Sequence, residues 1–136
     1  TGRPMSEQEG KGPPPFNALE LGLHRARAEL HQLIDARVDA QLARGLVQEV
    51  EGLLAEGVAP TAPAMSSIGY RQLLPYLRGE VSLDTAREQI RFDTHRYVRH
   101  QETWLRRNQR LTRIDAAAPG WRQHAASLVE HFLCGR

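Results

Sequence analysis

Apolar residues recur at helical intervals over most of this chain and alternate in only two short places. Asn17 to Leu23 alternates through Leu19, Leu21 and Leu23, which predicts a strand. Leu111 to Asp115 is a second short candidate. A strand leaves backbone amides and carbonyls to be paired, and two candidates offer few partners, so further strands are expected outside this sequence.

From about Arg25 the period becomes helical. Leu30, Leu33, Ile34, Val38 and Leu42 share one face, and Gly45 stands where the run would break or bend. Leu46 to Glu56 carries Val47, Val50, Leu53 and Leu54 inward, with Gly57 placed as a C-terminal cap. Pro60 to Pro63 predicts a loop, and Ser66 to Leu77 predicts short helical pieces interrupted around Gly69 and Pro75. Ser82 is an N-cap candidate with Asp84 in the first turn, and the helix it opens runs to about Asn108. Leu83, Ala86, Ile90, Tyr97, Gln101 and Trp104 track its expected buried face. Pro119 and Gly120 precede a last amphipathic helix with Trp121, Ala125, Leu128, Val129 and Phe132 inward. The expected fold class is mainly α with one or two short strands, without internal repeats.

Composition refines this picture. At 136 residues, 40% of them hydrophobic, the chain suffices for one domain with a modest core. Residues 1–16 are rich in Gly, Pro and polar residues and predict a flexible segment; residues 17–136 carry the helices. Net charge is +2, the sequence pI is near 9.1, and Lys11 is the only lysine. Arginine bonds phosphate bidentately and stacks on bases, so the bias suits RNA, although GC-rich coding would produce it too. The single cysteine, Cys134, excludes an internal disulfide and is expected to fill space on the last helix. No run approaches a membrane span and no secretory signal is present, so a cytoplasmic, monomeric protein without membrane contact is expected. Thr1 rather than Met opens the chain, which reads as a cut.

Charge gathers in one place. Arg87, Arg91, His95 and Arg99 recur every four residues and form a stripe on the long helix. From Arg87 to Arg113 there are eight basic against three acidic residues, a local excess of five in a chain of net +2. A polyanion needs such a concentration, and each phosphate contact also releases a counterion. A solvated helix face with Glu88–Arg91 pairing explains the same run.

The segment Thr94-His-Arg-Tyr-Val-Arg-His-Gln-Glu-Thr-Trp-Leu105 resembles the T-R-x-Y-A-K-R-Q-x-T-W-F signature of the tRNA dimethylallyltransferases. Three more pieces follow that family's order. Thr1-Gly-Arg-Pro-Met-Ser6 is similar to T-G-K/R-P-x-S, and Arg37-Val-Asp39 with Gly45-Leu46 and Glu49-Val50 to R-V-D-x-M-x-x-x-G-L-x-x-E-V. Ser67-Ile-Gly-Tyr-Arg-Gln72 with Tyr76-Leu-Arg-Gly79 is similar to A-I-G-Y-K-E/Q and Y-L-x-G.

The resemblance implies the C-terminal part of a bacterial P-loop-type α/β enzyme whose N-terminal half is absent. Residues 1–16 would then end the family's insertion region. It implies transfer of a dimethylallyl group from dimethylallyl diphosphate to N6 of the adenosine 3′ of the tRNA anticodon. The departing diphosphate gathers negative charge, so Arg, Mg²⁺ or P-loop amides must surround it. The adenine must be everted to reach the donor.

Carried over residue by residue, Arg37 binds the diphosphate, against the plain alternative of an ion pair with Asp39. Ser66, Ser67, Ile68, Gly69, Tyr70 and Arg71 form one tRNA-contacting turn. Arg99, His100, Gln101, Glu102, Thr103, Trp104, Leu105 and Arg106 form a second tRNA-contacting segment, with Arg99 and Arg106 on phosphate and Trp104 as packing that fixes the helix. His95 and His100 depart from the family's Arg and should weaken phosphate contacts there. They face different sides of the helix, so no shared metal site is expected.

The family's G-x-x-x-x-G-K-S/T loop, with its nucleotide- and ATP-binding character, and its D-S-x-Q segment are not in the sequence. Catalytic residues and most of the Mg²⁺ contacts are therefore expected elsewhere, and this chain alone is expected to be inactive. The competing readings are a stand-alone, non-catalytic RNA-binding helical module, a relative that prenylates free adenine nucleotides, and a purely structural scaffold.

Overall fold

The computed structural model describes residues 16–135. The expectation for residues 1–16 therefore lies, apart from Phe16, outside the described residues. Five helices, one 3-10 turn of four residues and two strands of five residues follow each other as β1 (Glu20–His24), α1 (Arg27–Ala43), α2 (Leu46–Ala55), the 3-10 turn (Pro63–Ser66), α3 (Tyr70–Leu77), α4 (Leu83–Arg107), β2 (Leu111–Asp115) and α5 (Trp121–Cys134). The chain divides into two compact units: His24–Gln109, and the segments before and after it. The fold class is mainly helical, as the periodicity predicts, with one two-stranded parallel sheet.

In the helical unit, Ile34 and Val38 of α1, Val47 and Val50 of α2, Leu73 of α3, and Ala86 and Ile90 of α4 form the buried core. Leu30, Leu42, Leu54 and Val98 pack around it. Leu33, expected on the same face of α1, is half exposed, because Leu30, Ile34 and Val38 at i, i+4, i+8 set the face that α1 turns to its neighbours. α2 ends in a Schellman motif: Gly57 N–H donates to Leu54 O at 3.0 Å and Val58 N–H to Leu53 O at 3.0 Å. Gly57 has a φ of 90°, which explains a glycine at the expected cap.

Two expectations about α3 and α4 need correction. Pro75 does not interrupt α3, which continues to Leu77. A proline there forfeits one intrahelical bond, and burial of Leu73 with partial burial of Leu74, Tyr76 and Leu77 outweighs that loss. Ser82 does cap α4, its Oγ accepting from Thr85 N–H at 3.1 Å. The buried face of α4, however, stops early. Ala86 and Ile90 are buried, but Leu83, Tyr97, Gln101 and Trp104 are exposed, Trp104 by 67%. The core that α4 packs against reaches only to Val98, so the last turns have no apolar partner within this unit.

In the second unit β1 pairs with β2, and α5 packs against β2. β1 begins three residues later than the alternation suggests, because a strand extends only where its partner pairs, and β2 has five residues. Ile114 is the buried hydrophobic side chain here, and Trp121, Ala125, Leu128 and Phe132 of α5 are only half buried. Val129, expected inward, and Cys134, expected to fill space, are both exposed. Among the described residues no helix is long and apolar enough to cross a membrane.

Candidate functional site

Four turns of α4 face two different neighbours, and this divides its basic residues into two sets. On the α1 side the stripe is occupied. Arg91 Nη2 donates to both carboxylate oxygens of Asp39 at 2.6 and 2.7 Å, and its Nη1 donates to Glu88 Oε1 at 2.8 Å. Arg87 pairs with Asp84 at 3.1 Å. The His95 ring stacks on His31, with centroids 4.0 Å apart and planes 5° from parallel. His95 Nε2 lies 3.0 Å from Asp35 Oδ1, without the alignment of a hydrogen bond. Burial, reinforced by His95 and Arg27, pushes the His31 pKa below its ordinary 6.5. Within the expected stripe, Arg91 and His95 thus meet α1 across an interhelical seam, whereas Arg87 pairs with Asp84 of its own helix.

The other side of α4 is open. Ser66, Ser67, Ile68 and Arg71 line a cleft of about 400 Å³ together with Asp93, Arg96, Tyr97 and His100. The tertiary fold therefore brings His100, from the second expected segment, beside residues of the Ser66–Arg71 turn, although about thirty positions separate them in the sequence. Arg96 forms no ion pair with a described residue, and Tyr97 is 53% exposed. Cationic groups, an accessible aromatic ring and hydroxyls on one open surface suit an unpaired, phosphate-bearing strand.

The Ser66–Arg71 wall is held rigidly. Ser66 Oγ donates to Pro63 O at 2.6 Å and Ser67 Oγ to Ala64 O at 2.8 Å. Both hydroxyl protons are thus spent locally, which leaves lone pairs to accept bonds from a ligand. Gly69 has φ 105° and ψ −65°, a backbone closed to side-chain-bearing residues at low strain. A Cβ there would meet Leu46 Cδ2 at an ordinary 3.7 Å, so the backbone angle, not space, demands glycine. The Tyr70 hydroxyl donates to Glu49, a bond that raises its pKa and turns the hydroxyl away from the nucleic-acid role expected of it.

The remaining expected contacts are dispersed. His100 lines the cleft, but Arg99, Gln101, Thr103, Trp104 and Arg106 lie exposed on other parts of the end of α4, and Glu102 and Leu105 are half buried. Thr103 Oγ1 donates back to Arg99 O at 2.9 Å. Trp104 does not pack as expected. Arg37 is exposed on α1 and forms no ion pair with a described residue. The pairing with Asp39 that its sequence position suggested is absent, because Arg91 takes that carboxylate.

Arg96, Tyr97, Gln72 and Asp93 were not among the expected site residues. Gln72 and Asp93 form the polar heart of the wall. Gln72, only 6% exposed, accepts from Gly69 N–H at 2.8 Å and donates to Asp93 Oδ2 at 2.6 Å. Arg71 Nη2 donates to the same oxygen at 2.9 Å. Burial alone would raise the Asp93 pKa, but bonds from Gln72, Arg71 and Gln89 outweigh it and hold the carboxyl below its ordinary range. The partners lie 21 and 22 positions apart, so no local spacing announces them.

Comparison with known proteins follows from this geometry. The profile of the IPP transferase family matches residues 1–108. A tRNA dimethylallyltransferase of Thermomicrobium roseum is 51% identical over 133 residues, covering 98% of this chain and 40% of that protein. One of Chloroflexus aurantiacus is 46% identical over 126 residues, covering 93% of this chain and 43% of that protein. A tRNA isopentenylpyrophosphate transferase of Bacillus halodurans superposes with a TM-score of 0.77 at 28% identity, over 89% of this chain and 39% of that one. A tRNA delta(2)-isopentenylpyrophosphate transferase of Staphylococcus epidermidis has the same fold, with a TM-score of 0.81 at 24% identity, over 89% of this chain and 39% of that one. The chain spans about 40% of the length of these relatives.

Proposed function

The chain belongs to the IPP transferase family, and from that membership we propose that it supplies the tRNA-holding and diphosphate-holding surfaces of a tRNA dimethylallyltransferase. The reaction moves a dimethylallyl group from dimethylallyl diphosphate to N6 of the adenosine 3′ of the anticodon. The N6 lone pair forms a bond to the allylic carbon, the carbon–oxygen bond to diphosphate breaks, and the amine gives up a proton. This chain corresponds to the C-terminal portion of such an enzyme. It offers no residue with a stated catalytic role.

The observation that carries the reading is the cleft between the Ser66–Arg71 turn and α4. Arg71 and Arg96 supply charge to the phosphates of an anticodon stem-loop, His100 supplies a ring nitrogen for hydrogen bonding, and Tyr97 supplies a face on which an unpaired base stacks. Arg37 on α1, without an ion-pair partner among the described residues, is the residue for the departing diphosphate, where preorganised positive charge lowers the barrier. Among the described residues no group of three His, Cys, Asp or Glu could hold a metal ion.

Two variants separate the roles. Arg96→Glu should weaken binding of an anticodon stem-loop RNA and lower the slope of log K against log salt by about one to two. Unchanged binding and slope would remove the tRNA reading. In a complete transferase that carries this chain, Arg37→Ala should lower prenyl-transfer turnover by roughly a hundredfold with RNA affinity kept. Undiminished turnover would take Arg37 out of the site.

A further inference from the structure

We infer that Asp93 is the positioning residue of the RNA-holding wall, acting through Gln72 and Arg71 rather than touching the ligand. This rests on the reading of the cleft as the tRNA surface.

Charge alone argues against an acid at this position. A carboxylate beside Arg71, Arg96 and His100 repels phosphate, so a surface built only for attraction would omit it. Its bonding gives the reason for its presence. Asp93 is 12% exposed, and one of its oxygens receives both Gln72 and Arg71. Gln72 in turn clamps the amide of Gly69, the residue whose positive φ calls for glycine. The chain of bonds from α4 through Gln72 to Gly69 thus sets where Ser66, Ser67 and Ile68 stand opposite Arg96, Tyr97 and His100. The same carboxylate holds one nitrogen of Arg71, whose side chain remains 49% exposed. The guanidinium is therefore oriented before any ligand arrives, which spares the entropy of ordering a long side chain on binding.

The two accounts of Asp93 predict opposite signs. If the carboxylate only contributed charge, Asp93→Asn and Asp93→Ala would tighten binding of an anticodon stem-loop RNA. As a positioning residue it makes both variants bind more weakly, Ala by roughly tenfold and Asn by less, because an amide oxygen still accepts from Gln72. Gln72→Ala should match the Asp93→Ala loss, and the double variant should lose no more than the larger single loss. The Gly69 amide should exchange its hydrogen faster in Asp93→Ala, with the Val50 amide of the core unchanged. These measurements use the full chain, and Asp93→Asn serves if the alanine variant does not fold.

Tighter or unchanged binding overturns the inference, as do multiplying losses or an unaltered Gly69 amide. Arg96→Glu is the control: a loss there with none in the Asp93 variants sinks this inference alone, whereas no loss in Arg96→Glu sinks the tRNA reading beneath it.

Discussion

The two halves of α4 carry similar cations and put them to different use. Up to His95 the helix is anchored: Ala86 and Ile90 sit in the core, Arg87 and Arg91 are bonded to carboxylates, and His95 is stacked on His31. From Arg96 onward the side chains are largely exposed, and Arg96 and Arg99 form no ion pair with a described residue. A periodic charge stripe is therefore not one functional surface. Asp84 and Glu88 of α4 itself and Asp39 of α1 pair with the arginines of its first part, and no described carboxylate does so for Arg96 or Arg99.

The largest effect that would sharpen this contrast is in the core. Ile90→Ala should destabilise the protein by about 2–5 kcal/mol in denaturant unfolding, since it opens a cavity among Ile34, Val38 and Leu73. A loss below about 0.5 kcal/mol, the usual limit for a surface substitution, would mean the first half of α4 is not anchored by its apolar face. Next come the cations. Arg99→Glu should weaken RNA binding by about tenfold and leave the thermal midpoint nearly unchanged. Arg91→Ala should do the reverse, costing about 1 kcal/mol of stability with the salt slope of RNA binding intact. Exchange of these two outcomes would break the comparison.

The histidine stack gives a smaller, pH-dependent effect. His31 has a folded pKa below 6.5, so the folded state binds fewer protons than the unfolded one as pH falls. Its contribution is present above pH 6.5 and is lost as pH drops through the folded pKa. The groups facing it are His95, Arg27, Asp35 and Arg99. His31→Gln should flatten the fall of thermal midpoint on acidification below pH 6.5; a fall as steep as in the unaltered protein would show that the stack is not the titrating element. The smallest effect is expected at Trp104, 67% exposed. Trp104→Ala should change stability by less than about 0.5 kcal/mol, as read by thermal unfolding.

Much of the fold was legible because its signals are local. The Ser82 cap, the break at Gly45, the Schellman glycine at Gly57 and the strand Leu111–Asp115 each depend on a few neighbouring residues. Where apolar spacing ran on without a partner, it misled. Gln101 and Trp104 continue the helical period of Ile90, yet nothing in their unit covers them. Pro75 misled in the other direction, since packing outweighed one lost bond. The candidate site was half legible. The motifs pointed to both walls of the cleft, but not to Arg96 and Tyr97 as its lining, nor to Gln72 and Asp93 as its frame.

Residue order alone determined the helices, their caps and the family, because periodicity, capping and motifs act over a few positions. Only the tertiary structure decided which cations stay free. Pairing Arg91 with Asp39 spans 52 positions and bonding Asp93 to Gln72 spans 21. Contacts at that separation depend on how helices pack, and a Coulomb or hydrogen-bond partner a few ångströms away in space leaves no mark in the neighbouring sequence.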